Sequence, residues 1–158
     1  MYNEIEGDLI KLALEGTFDV IAHGCNCFCT MGAGIAPQMA KAFGCDKYPL
    51  ENELHRGEIN KLGHINYDWI NKTPNDITIP RPLYIVNAYT QYHYGGKNPI
   101  DYEALTLCMR KINHVFKGKH IGLPKIGAGL AGGDWDKIKL IIQTELKDCN
   151  VTVVIYKK

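Results

Sequence analysis

The stretch Ile21–Ala36 reads "IAHGCNCFCTMGAGIA", an apolar run that passes through alternating cysteines into two glycines and a second apolar start. "DVIAHG" before it is a short apolar run of strand type. From Gly34 the period changes: "IAPQMAKAF" sets Ile35, Met39, Ala42 and Phe43 at helical spacing, and Gly44 stops it. A strand that turns through glycines into a helix is the repeating unit of a layered α/β fold. The same stretch could hold a metal, a redox centre, a phosphate or only a tight turn, and the rest of the chain must decide.

A second unit of this kind lies downstream. "HIGLPKI" reads as a strand, "GAGLAGG" as a glycine loop and "DWDKIKLIIQTELKD" as a helix with Asp134 placed as its N-cap. Elsewhere, "YNEIEGDLI" alternates weakly like a strand, and "GEINKLGHINYDWI" reads as one or two strands. "NKTPNDITIPRP" is dense in turn residues and reads as a loop or hairpin excursion. "LYIVNAYTQ" is the clearest buried strand. "PIDYEALTLCMRKINHVF" predicts a helix with Leu105, Met109, Ile112 and either Val115 or Phe116 on one face, and "VTVVIY" a last strand. Strands alternating with helices predict an α/β sheet. Consecutive strands early in the chain make that sheet mixed rather than purely parallel. No repeat or linker interrupts the 158 residues, so residues 1–158 form one domain.

Composition removes several classes of function. Hydrophobic residues make up 46% and charged residues 22%, with a formal net charge of +1. That balance carries no intrinsic nucleic-acid signature and no attraction to an anionic membrane. No apolar run is long enough to span a bilayer. "MYNEIEGDLI" has acids where an export signal has basic residues, so a cytoplasmic location is expected, the host's cytoplasm if a phage encodes the chain. The six cysteines then read as reduced thiols. The spacing Cys25-x-Cys27-x-Cys29 is not the C-x-x-C of zinc or thioredoxin-type sites, and no metal or cofactor is called for.

Both glycine loops follow a strand and lead into a helix, so both belong at the carboxyl ends of the strands, where α/β sheets bind ligands. Glycine lets backbone N–H groups approach an anion, and a helix N-terminus adds donors and a positive dipole end. Two such loops suit a diphosphate in a chain whose arginines are only Arg56, Arg81 and Arg110. Rival motifs fail. "GAGLAG" (Gly127–Gly132) matches G-x-G-x-x-G, yet one helix and one strand remain after it, too few for a dinucleotide domain. No P-loop is present. Cys25 is followed six positions on by Met31, where a cysteine phosphatase needs arginine.

"EGDLI", "AHGCNCFCTMGAGIA", "LPKIGAGLAGGDW" and the terminal "VTVVIY" together resemble a macro domain. The likeness is to the branch whose first loop reads G-A-G-I-A, which holds yeast-type ADP-ribose 1''-phosphate phosphatases, terminal ADP-ribose glycohydrolases and small bacterial or phage proteins. The resemblance covers nearly the whole chain. It implies a three-layer α/β/α sandwich around a mixed sheet of about six strands, and a monomer whose partner is a small molecule, ADP-ribose or its 1''-phosphate. Asp8 matches the acid that receives the adenine amino group, with Leu9 beside it; its other reading is a turn residue. Asn26 matches the asparagine on the distal ribose, whose other reading is shaping the loop. Gly32, Ala33, Gly34 and Ile35 match the first phosphate-side loop, and Ile126, Gly127, Ala128, Gly129 and Leu130 the diphosphate loop. Tyr156 matches an aromatic that packs on adenine, or else a core tyrosine. Cys25, Cys27 and Cys29 become small apolar groups sharing one face.

The chain also departs from its relatives. The resemblance puts the glycohydrolases' catalytic aspartate where this chain has Ala131, and their catalytic lysine where it reads "NAYTQYHYGG". That covalent route is therefore disfavoured. Asp134, three residues on, corresponds to an acid that assists water in phosphatase-like members. His23, where many members carry asparagine, is a candidate base or a satisfied histidine at a strand end. The expected function is ADP-ribose binding with hydrolysis of ADP-ribose 1''-phosphate, carried by Asp134, His23 and Asn26. The alternatives are a binding module without catalysis and a deacylase or glycohydrolase of ester-linked ADP-ribose on protein or nucleic acid.

Overall fold

A computed structural model describes residues 1–28, 35–44, 58–93, 100–128 and 132–156. The chain runs β1 (Tyr2–Glu6), α1 (Leu9–Leu14), β2 (Val20–Asn26), α2 (Ala36–Phe43), a 3-10 turn (Ile59–Lys61), β3 (Ile65–Lys72) and β4 (Thr78–Gln91). It continues through α3 (Tyr102–Val115), β5 (His120–Leu123), α4 (Trp135–Glu145) and β6 (Asn150–Ile155). The six strands form one sheet in the order β1-β6-β5-β2-β4-β3. All neighbours are parallel except β3, which runs antiparallel to β4 at the edge. The sheet is mixed, as the strand pattern requires.

Side-chain alternation sends successive strand residues to opposite faces. Val20, Ala22, Val86 and Ala88 meet Leu105, Met109 and Ile112 of α3, with Ile138 and Ile142 of α4 in the same core. Ile21, Ile85 and Leu83 meet Leu9 and Ala13 of α1, with Met39 and Phe43 of α2. Helices on both faces of the sheet make the three layers. On α3 the last core position belongs to Phe116, 4% exposed, while Val115 faces solvent.

The structure corrects one sequence reading and decides between the alternatives of two others. "YNEIEGDLI" does not continue as a strand, because Asp8 leaves β1 and starts α1 as its N-cap, with Oδ1 accepting from Ile10 N at 3.1 Å and Lys11 N at 3.2 Å. Short apolar runs fit either period, and here the cap decides. The segment "NKTPNDITIPRP" is a hairpin whose second arm is already β4. Lys72 pairs with Thr78 across a turn at Asp76, whose φ is 64°. Pro80 and Pro82 fit that arm because β2 joins β4 only from Tyr84, so their missing N–H groups interrupt no central ladder. "GEINKLGHINYDWI" resolves into the 3-10 turn and a single strand, β3.

Candidate functional site

β2 and β5 are adjacent and parallel, yet the chain leaves them toward opposite faces. The segment after β2 leads to α2 on one side of the sheet, and the segment after β5 leads to α4 on the other. A crevice opens at the carboxyl ends of two strands whose connections diverge in this way, and α/β sheets bind ligands there. Asn26 ends β2, Ile126–Ala128 follow β5, and Asp134 caps α4. Asp8 and Tyr156 stand at the carboxyl ends of β1 and β6 along the same edge. Gly7 N donates to Ile155 O at 2.9 Å and keeps the two strand ends level.

The first loop's Gly32, Ala33 and Gly34 lie outside the described residues, as do Cys29 and Ala131, and Gly129 and Leu130 of the second loop. Ile35 stands at the entry to α2, where its carbonyl accepts from Met39 N at 2.9 Å. Gly44 ends that helix in the left-handed region, φ 65°, as its place in the sequence predicts.

The second loop is tightly built. Gly127 has φ 75°, and a Cβ there would lie 2.4 Å from Ile100 Cδ1. A Cβ on Gly133 would lie 2.6 Å from the Gly127 carbonyl oxygen. Glycine is therefore compulsory at both positions. Several amides are already spent on shaping the turn: Ile126 N donates to Pro124 O at 2.7 Å, Ala128 N to Lys125 O at 3.2 Å and Gly133 N to Gly127 O at 2.8 Å. An anion held here must take its donors from the loop's other amides.

The polar candidates divide by burial. Asn26 is 8% exposed, and its Oδ1 accepts from Phe28 N at 3.0 Å, so it shapes the loop it stands in. Asp134 caps α4 with Oδ1, which accepts from Asp136 N at 3.0 Å; its own N donates to the Tyr102 hydroxyl at 2.9 Å. Tyr102 thus ties α3 to the start of α4, a link with no local signature in the sequence. Leu9 is buried, so its side chain serves the core. Tyr156 is 64% exposed, which excludes the core reading of that tyrosine. Asp8 and Tyr156 line a surface groove of about 520 Å³ with Glu6, Gly7 and Lys11.

His23 is fully buried. Its Nε2 lies 2.6 Å from Asn87 Oδ1, Asn87 Nδ2 donates to Asn66 Oδ1 at 2.7 Å, and Asn66 Nδ2 donates to the Tyr89 hydroxyl at 3.0 Å. This chain of amides crosses from β2 through β4 to β3. Cys25 Sγ is 3.6 Å from the same His23 Nε2 and 3.9 Å from Nδ1. A Cys-His-Asn catalytic relay needs one ring nitrogen for the thiol and the other for the amide. Here the amide occupies the nitrogen nearer the thiol, and no such relay forms.

Cys25 and Cys27 pack with Tyr89 as small apolar groups. Burial pushes the Cys27 thiol up to about 11 and the Cys108 thiol up to about 12, so both stay protonated at neutral pH. Among the described residues, no group of three or more His, Cys, Asp or Glu side chains could hold a metal ion. Among them, too, no helix is long and apolar enough to cross a membrane.

No family model matches the chain. It is 36% identical over 155 residues to the uncharacterized 17.5 kDa protein of the tk-vs intergenic region of Enterobacteria phage T4, across 95% of this chain and 93% of that one. The solved macrodomain of Thermus aquaticus DarG superposes with a TM-score of 0.68 at 26% identity, covering 100% of this chain and 99% of that one. The chain belongs to the macro domain family. A further relative of this macro domain is the DNA ADP-ribosyl glycohydrolase of Thermus aquaticus, 27% identical over 150 residues, which are 93% of this chain and 38% of that protein.

Proposed function

We propose that this macro domain binds ADP-ribose along the edge from Asp8 and Tyr156 to Asn26, and hydrolyses ADP-ribose 1''-phosphate to ADP-ribose and phosphate. The observation that supports the reading is the divergence of β2 and β5, which sets Asn26, Ile126–Ala128 and the Asp134 cap of α4 at the carboxyl ends of adjacent parallel strands. In this reading adenine rests against Tyr156 with its amino group on the Asp8 carboxylate. The diphosphate bridges toward the β5 loop, and Asn26 meets the distal ribose. Asp134 orients a water molecule toward phosphorus with the carboxylate oxygen that does not cap α4, while loop amides take the charge developing on the phosphoryl oxygens. The P–O bond to the distal ribose breaks, water supplies the oxygen that the phosphate gains, and its proton passes to the leaving sugar oxygen. His23 fits a positioning role, holding β2 against β4 beneath Asn26.

A second reading is favoured by the relative named a DNA ADP-ribosyl glycohydrolase, of which this chain matches 38%. Here the group leaving the distal ribose belongs to DNA and is not free phosphate. Incubating the protein with ADP-ribose 1''-phosphate, with ADP-ribosylated single-stranded DNA and with an ADP-ribosylated glutamate peptide separates the readings. Phosphate release that vanishes in Asp134→Ala supports the first. Release of ADP-ribose from DNA alone transfers the assignment to the second, and release from the peptide alone to ester hydrolysis. Micromolar ADP-ribose binding with all three substrates inert leaves a binding module.

A further inference from the structure

Thr90 is 1% exposed at the carboxyl end of β4, and its Oγ1 is, among the described residues, the buried side-chain oxygen or nitrogen that has no hydrogen-bond partner. Its carbonyl accepts from Asp101 N at 2.9 Å. The hydroxyl is left over. A buried hydroxyl without a partner destabilises a fold, and one that persists calls for an explanation.

Its position supplies one. β4 bulges against β2 at this level: Cys25 pairs with Tyr89 and Asn26 with Gln91, so Thr90 of β4 is the extra residue between the two pairs. A Cβ on Gly24 would lie 3.0 Å from Thr90 Oγ1 and 3.1 Å from Ile126 Cγ1. The hydroxyl therefore sits between the strand end that carries Asn26 and the first residue of the second glycine loop. The glycine leaves it room, and the Ile126 side chain lies over the same spot. Bulges at strand ends re-aim side chains beside functional sites, and this one sets a hydroxyl beside Gly24 and Ile126.

We infer that Thr90 is a specificity-determining residue whose hydroxyl donates to an oxygen of the distal ribose once a ligand displaces the Ile126 side chain. The inference rests on the ADP-ribose reading above. It makes the site favour ADP-ribose over ADP, which has no distal ribose to receive the bond.

Thr90→Val keeps the shape and removes the hydroxyl, and Thr90→Ser keeps the hydroxyl. Binding of ADP-ribose and ADP is measured by calorimetry for each, alongside the thermal midpoint without ligand. In the valine variant the midpoint is expected to hold or rise, ADP-ribose to bind about tenfold more weakly, and ADP to bind as before. The serine variant is expected to keep the wild-type preference. A valine variant that binds ADP-ribose like wild type, loses ADP equally, or melts lower would overturn the inference. Wild-type protein that ignores ADP-ribose altogether would instead end the ADP-ribose reading and this inference with it.

Discussion

His23 Nε2 and Asn87 Oδ1 lie 2.6 Å apart in the interior between β2 and β4, and Asn87 passes the connection on to Asn66. The pair is a sealed polar joint under the crevice. Removing one partner leaves the other buried with a lost bond, at a cost of about 1–3 kcal/mol. Asn87→Leu is therefore expected to lower the unfolding free energy by that amount, read as a lower denaturant midpoint. The double variant His23→Leu, Asn87→Leu is expected to lose less than the two single losses combined, because the His23–Asn87 bond is lost only once and neither of these two positions is left as an orphan. Strict additivity in that cycle would show that the two side chains act independently.

Asp134 carries two assignments that substitution can separate. As N-cap of α4 its side chain accepts from Asp136 N, a service asparagine also performs. Asp134→Ala is expected to cost about 1 kcal/mol of stability, and Asp134→Asn close to none. Activity should divide differently, since orienting and deprotonating water needs the carboxylate. Both variants are expected to lose phosphate release from ADP-ribose 1''-phosphate by about a hundredfold or more. An asparagine variant with wild-type turnover would reduce Asp134 to its capping role.

How far the sequence reveals this arrangement depends on how local each cause is. α4 and its cap were legible because Asp134 and the apolar period after it are neighbours in the chain. The same kind of cap at Asp8 was read as part of a strand, since six residues of helix hold less than two turns of period. The two glycine loops announced themselves by composition. What they form did not, because Gly127 is compelled by Ile100 and Gly133 by the Gly127 carbonyl, contacts that only the folded chain creates. Thr90 lay inside "NAYTQYHYGG" with no sign of its orphaned hydroxyl, which follows from a bulge between two strands far apart in sequence. The place of His23 at a strand end is legible, but its burial and its amide partner 64 positions away are not readable from the residues around it.

Gly127 gives the sharpest test of the second loop. Alanine there must adopt φ near 75° and push its Cβ against Ile100 Cδ1. The left-handed backbone alone costs about 1–2 kcal/mol, and the overlap adds to it. Gly127→Ala is expected to lower the thermal midpoint and to abolish ADP-ribose binding at concentrations that saturate wild type. Adding Ile100→Ala removes the overlap and leaves the backbone strain. The double variant should therefore lose less stability than the two single losses added together. A double variant that loses as much as that sum or more would mean that the contact between these residues is not what confines the loop.

The buried thiols set a limit at high pH. Burial raises Cys27 to about 11 and Cys108 to about 12 in the folded protein, against an ordinary value of 9.0. Below pH 9 both folded and unfolded chains keep these protons, so the thiols make stability neither rise nor fall. Above it the unfolded chain releases protons that the folded chain retains, and stability falls as pH climbs from about 9 toward 11 and 12. Other groups titrate in that window, so the informative quantity is a difference between proteins. Cys108→Ala shifts the urea midpoint by a constant amount from pH 7 to 8.5, then draws level with or overtakes wild type as wild type loses stability. Parallel pH profiles up to pH 11 would mean that the Cys108 thiol ionises as easily in the folded chain as in the unfolded one.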